Sequence, residues 1–151
     1  MKEFFKLLIN FNLKALFKDD TENIYVQFFR YIIVGGIATV VDWSVLEVFY
    51  TVLGIGFYFS AAIGFAFGLV TNYLLSKFFA FKGTPTDKSV AGEMLVFLIT
   101  GLIGLGLTEG IIWVMTAKFS LHHLISKAVA TAVVLLWNFG SKKILLYRKR
   151  S

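Results

Sequence analysis

The sequence predicts an all-α polytopic membrane protein with four transmembrane helices, arranged as two parallel two-helix repeats behind an amphipathic N-terminal helix. Three observations carry this. Hydrophobic residues make up 58% of 151 residues against 16% charged, more apolar surface than a soluble domain of this size can bury. Four apolar segments reach the length of about 20 residues that a spanning helix needs. Lys and Arg cluster on alternate links between those segments.

The N-terminal stretch, residues 1–20, comes first. On a helix, Phe4, Leu8, Phe11 and Ala15 share one face with Phe5, Ile9 and Leu16 beside them, and Lys6, Asn10 and Lys14 lie opposite. That suits a helix in the membrane interface with lysines over anionic headgroups, or one packed on the protein's own cytoplasmic side. Lys6 and Lys14 interrupt the apolar run and no small-residue cleavage site follows, which argues against a signal peptide. Asp19, Asp20, Thr21, Glu22 and Asn23 form a polar break.

The spans are expected at about 28–50, 56–79, 94–117 and 121–146. The links Leu53–Gly56 and Lys118–Leu121 are short enough for tight hairpin turns, while Lys82–Glu93 is a polar loop marked by Gly83, Thr84, Pro85 and Asp87. Lys2, Lys6, Lys14, Lys18 and Arg30 precede or open span one, and Lys77, Lys82 and Lys88 flank the central loop. Lys142, Lys143, Arg148, Lys149 and Arg150 close the chain, whereas only Lys118 and Lys127 lie near the hairpin turns. Positive charge marks the cytoplasmic side, so both termini and the central loop are expected there, in the cell membrane.

The halves align without gaps at a shift of 66 residues, with Asn72 falling on Asn138 and Lys77 on Lys143. Each unit holds two spans, so the repeats, 28–82 and 94–148, would run parallel. Ser60, Gly64 and Gly68 in span two, and Gly101, Gly104 and Gly106 in span three, suit close helix packing.

Asp42, Glu47, Glu109 and Lys127 lie inside predicted spans, where a charge must pair, snorkel, neutralise or face water. Lys127 could snorkel outward or pair with Asp42 or Glu109. It also shares a face of span four with Thr131, Val134 and Asn138, about 16 Å from the amide along the axis. Asn72 and Asn138 can donate to phosphate oxygens, bind sugar hydroxyls, or bond helix to helix. Arg30, Lys77, Lys142, Lys143 and Arg148 form a basic rim that fixes topology and also suits an anionic headgroup. His122 and His123 lie in an outer turn and are read as interfacial. With no cysteine, no nucleophile–base pair, no phosphate-binding glycine loop and no metal-ligand cluster, the sequence predicts no enzyme, no cofactor and no metal site. Nucleic acid is not an expected partner.

The stretch from Arg30 to Asp42 (RYIIVGGIATVVD) resembles the start of the GtrA-like family. Asn72 to Phe81 (NYLLSKFFAF) is similar to its Asn-Phe-x-x-Asn-Arg-x-x-x-Phe element, and Lys127 to Phe139 (KAVATAVVLLWNF) to its last helix. The resemblance covers residues 26–148. Ser76 stands where the family pattern has a second Asn, and Gly140-Ser-Lys departs from it in the second copy. The resemblance implies a flippase, moving a polyprenyl-phosphate-linked monosaccharide such as an undecaprenyl-phosphate sugar to the outer leaflet. Membrane glycosyltransferases would then use it for surface polysaccharide or teichoic acid. On that reading the substrate-binding candidates are Asn72, Asn138, Lys127, Lys77, Lys143, Arg30 and Asp42. Four helices make little groove alone, so a homo-oligomer, a dimer, is expected among membrane lipids. The alternative is a non-transporting scaffold or accessory subunit for a glycosyltransferase. A small multidrug exporter using Asp42 or Glu47 is opposed by the charge asymmetry.

Overall fold

The computed structural model describes residues 1–9 and 13–148, and their side chains except those of Glu3, Phe4, Leu7, Leu8, Leu13, Ala15 and His123. Expectations for Asn10, Phe11, Lys149 and Arg150 lie outside the described residues. Two short helices, α1 (Lys2–Ile9) and α2 (Leu13–Phe17), precede four long ones: α3 (Ile24–Glu47), α4 (Phe57–Leu75), α5 (Val90–Ala117) and α6 (His123–Leu145). Among the described residues no strand forms. Helix α3 runs on into a π-helical turn, Val48–Val52, and α4 into another, Ser76–Ala80. All four long helices are long and apolar enough to cross a membrane.

Local chemistry sets the ends. Asn23 caps α3, its side chain accepting from Tyr25 N at 3.0 Å, and Ser89 caps α5, accepting from Gly92 N at 3.2 Å. Both caps start their helices four residues earlier than apolar content suggests. The expected loop to Glu93 therefore ends at Ser89, and Glu93 lies in the first turn of α5. His122 caps α6, its Nδ1 accepting from Leu124 N at 3.3 Å. Gly54, at φ 67°, supplies the left-handed residue in the α3–α4 turn.

Two compact units result, Met1–Pro85 and Thr86–Ser151. In the first, α3 packs along α4. Tyr31, Val34 and Ala38 are buried from one helix, and Ser60, Gly64, Gly68 and Tyr73 from the other. In the second, α5 packs along α6 and buries Phe97, Thr100, Gly104, Ser126, Ala130 and Phe139. The remaining faces carry exposed Trp43, Phe67, Leu102, Trp113 and Leu136, which suit lipid contact.

Under the shift of 66 residues, the start of α3 at Ile24 meets that of α5 at Val90, and Phe57 meets His123. Buried positions correspond as well: Gln27 with Glu93, Tyr31 with Phe97, Ala38 with Gly104, Ser60 with Ser126, Tyr73 with Phe139 and Ser76 with Lys142.

With no apolar solvent change between helix and lipid, association depends on close packing. A Cβ added at Gly64 would lie 2.6 Å from the Asp42 backbone oxygen and 3.2 Å from Leu46 Cβ. Gly64→Ala is therefore expected to cost about 1–3 kcal/mol by overpacking. Gly101 has nothing within 4 Å of such a Cβ, so Gly101→Ala is expected to be neutral. Thermal unfolding of both variants in detergent checks the contrast.

Candidate functional site

The functional candidates fall into two groups, one in each unit. In the first, Arg30 is fully buried. Its Nε donates to the Leu16 carbonyl at 2.6 Å, one terminal nitrogen to the Asp19 carbonyl at 2.7 Å and the other to the Phe79 carbonyl at 3.3 Å. Its carbon Cζ also sits 5.5 Å from the centre of the Phe79 ring. The guanidinium thus satisfies carbonyls left over at the end of α2, for which a fork of fixed donors is suited. All three of these bonds run to backbone carbonyls.

Neighbours repeat the theme. Gln27, also fully buried, donates from Nε2 to the Thr21 carbonyl at 2.8 Å and the Thr84 hydroxyl at 2.9 Å. Lys82 donates to the Lys18 carbonyl at 2.8 Å and pairs with Asp20 at 3.2 Å. Phe17 stacks on Phe79 with ring centres 6.2 Å apart and meets Phe29 edge-on at 6.1 Å. A Cβ on Gly83, at φ 87°, would lie 2.8 Å from Asp20 Cβ. Residues 16–21 are thereby strapped to the basic ends of α3 and α4.

Further along hairpin one, Asn72 stands between the helices with both of its neighbours supplied. Ser76 Oγ donates to Asn72 Oδ1 at 3.1 Å, one turn away, and the Tyr31 hydroxyl of α3 is hydrogen-bonded to the Asn72 side chain. Lys77 donates to the Tyr73 hydroxyl at 3.2 Å, and its ammonium lies 5.6 Å from the Tyr73 ring centre and 5.9 Å from that of Phe78. Asp42 is half-buried against the bare backbone of Gly64 and Gly68. A Cβ on Gly64 would come within 2.7 Å of its Oδ1.

In the second unit, Asn138 packs its amide on Gly104: a Cβ there would lie 3.2 Å from Nδ2 and 3.5 Å from Oδ1. Oδ1 is buried with no hydrogen-bond partner among the described residues. One turn on, Lys142 is buried, its ammonium 4.6 Å from the centre of the Phe97 ring. Glu93, one turn before Phe97, is buried too. Trp137 Nε1 donates to the Thr100 carbonyl at 3.2 Å and ties α6 to α5. Lys143 is half-buried in the last turn of α6. Lys127 is exposed, as is Glu109, and the two form no ion pair among the described residues.

Sequence reasoning missed Gln27, Tyr31 and Glu93 as buried polar partners, and treated Lys142 only as part of a rim. The available signal was the shift of 66 residues, which sets Gln27 on Glu93 and Ser76 on Lys142. An apolar groove of about 360 Å³ along α5, lined by Gly106, Leu107, Gly110, Ile111, Val114 and Met115, offers no side-chain hydrogen bond to a headgroup. Among the described residues no three His, Asp or Glu side chains converge. The arrangement offers charge and hydrogen bonds.

A family model matches residues 30–147, from the Arg30 clamp to Tyr147, and is described as "GtrA/DPMS, transmembrane domain". The chain belongs to this family. The chain is also 20% identical over 120 residues to the uncharacterized membrane protein YwcD of Bacillus subtilis (strain 168), a match covering 79% of this chain and 94% of that protein. No solved structure matches. As a GtrA/DPMS transmembrane domain, the chain is a multi-pass membrane protein whose polar interior sites, Asn72 and Asn138 among them, lie within the matched residues.

Proposed function

We propose that this GtrA/DPMS domain moves a polyprenyl-phosphate-linked monosaccharide from the cytoplasmic to the outer leaflet, supplying a membrane glycosyltransferase that decorates surface polysaccharide or teichoic acid. The observation that carries the reading is the Asn138 amide held inside hairpin two, its Oδ1 buried with no hydrogen-bond partner among the described residues, about one turn from Lys142 and Lys143. A sugar phosphate needs hydrogen bonds and positive charge, while its prenyl tail can remain in lipid against the apolar outer faces.

The basic ends face the cytoplasm by the positive-inside rule, so the lipid-linked sugar enters there. Lys127, on the same helix as Asn138 and nearer the hairpin turn, holds the phosphate further along the route. The two hairpins act as parallel repeats, and two copies of the chain enclose the headgroup path. The α1–α2 segment lies in the interface, with exposed Lys2, Lys6 and Lys14 over anionic lipid.

Deletion of the protein from its host is expected to strip the surface polymer of its sugar while the sugar–lipid accumulates on the inner leaflet. The measurement is inner- and outer-leaflet sugar–lipid by chemical accessibility in spheroplasts and inverted vesicles. Loss of the glycosyltransferase from the membrane, without accumulation, would instead assign a scaffold.

A further inference from the structure

The two hairpins bury equivalent asparagines in unlike company. Asn72 Oδ1 accepts from the Ser76 hydroxyl at 3.1 Å, and the Asn72 side chain is also hydrogen-bonded to the Tyr31 hydroxyl. At the equivalent sequence positions stand Lys142 and Phe97, neither of which carries a hydroxyl. Asn138 Oδ1 is accordingly buried with no hydrogen-bond partner among the described residues. A buried acceptor left without a donor is costly, so a natural site that keeps one needs a reason. Gly104 adds to this, because its bare backbone leaves the space in which the Asn138 amide lies.

We propose that the hairpins divide the work: Asn72 is a packing residue, and Asn138 is the recognition residue for a sugar hydroxyl of the lipid-linked ligand. This rests on the function proposed above and names which chemistry the site reads. An orphan carbonyl oxygen requires an O–H or N–H donor. Acyl and prenyl tails have neither, and an ionised phosphate diester has only acceptors. The hydroxyls of a monosaccharide are the donors such a ligand brings. The Lys142 Nζ, one turn away over the Phe97 ring, sets nitrogen donors in the same neighbourhood.

The test reads melting temperature in detergent for the full chain, alone and with two probes: farnesyl phosphate, and farnesyl-phosphate-linked hexoses (glucose, galactose and N-acetylglucosamine). Without ligand, Asn138→Leu is expected to melt at or above the wild-type temperature, because it removes an unsatisfied acceptor. Asn72→Leu is expected to melt below it, because the Tyr31 and Ser76 hydroxyls lose their partner. With ligand, the wild type is expected to gain more from at least one sugar-bearing probe than from farnesyl phosphate. Asn138→Leu loses that extra gain and Asn72→Leu keeps it. Phe97→Tyr, which adds a hydroxyl at the position equivalent to Tyr31, is expected to raise the unliganded melting temperature and to lower the sugar-dependent gain. A sugar-dependent gain unchanged in Asn138→Leu overturns this inference alone, as does an unliganded Asn138→Leu that melts well below wild type. If no probe shifts the wild type, the proposed function fails and this inference falls with it.

Discussion

Arg30→Met is expected to release the N-terminal segment from hairpin one and to lower apparent stability by on the order of 3 kcal/mol. The guanidinium donates to the carbonyls of Leu16, Asp19 and Phe79, and hydrogen bonds from a charged donor are worth about 1.5–3 kcal/mol each. Removing it strands those carbonyls, and methionine offers no donor in return. Arg30→Lys is expected to recover little, since one ammonium cannot copy a planar fork reaching three separate carbonyls. Lys82 will not compensate: it is 46% exposed and its partner Asp20 is 65% exposed, a setting in which an ion pair contributes little. Limited proteolysis between residues 16 and 23 reads the release directly, and thermal unfolding reads the stability. Wild-type protease resistance in Arg30→Met, together with loss of ligand binding, would instead make Arg30 a ligand residue.

Lys127→Ala is expected to abolish sugar–lipid transfer at unchanged protein level, with Lys127→Arg retaining part of it. An ammonium on a spanning helix is unfavourable unless something offsets it. Within its own unit Lys127 has no ion pair with Glu109, and its backbone carbonyl merely accepts from the Thr131 hydroxyl at 2.8 Å. A cation on the route of a phosphate is the offset proposed here. Lysine suits a site that must let go, because its charge is mobile and lacks the two-point grip of arginine. Transfer by outer-leaflet labelling checks both variants. If Lys127→Met with Glu109→Gln or Asp42→Asn transferred at the wild-type rate, the charge would belong to structure and not to the path.

The spans were legible because length and apolar content alone decide them, and both survive errors of a few residues. Their polar first turns were not. Gln27 and Glu93 fall just outside the spans that apolar content predicts, but side-chain caps at Asn23 and Ser89 start the helices before them, and packing then buries both. Asn72 and Asn138 were legible as a pair through the shift of 66 residues. Their difference was not, because it depends on which partners packing brings to each amide: Ser76 and Tyr31 bond to Asn72, while Asn138 Oδ1 is buried with no partner among the described residues. Arg30 shows the same limit. A cation at the start of a span reads as topology or headgroup binding, and only the returning carbonyls of residues 16 and 19 reveal a clamp.

The most direct test of the account is transport by the purified chain alone. The protein is reconstituted into liposomes with a fluorescent polyprenyl-phosphate-linked hexose in both leaflets, and a membrane-impermeant quencher is added outside. The account predicts that quenching proceeds past the outer-leaflet half towards completion in wild-type vesicles and stops at that half in Lys127→Ala vesicles. Quenching that stops at the outer-leaflet half with wild-type protein, across the hexoses that bind it, would contradict the account and leave a scaffold.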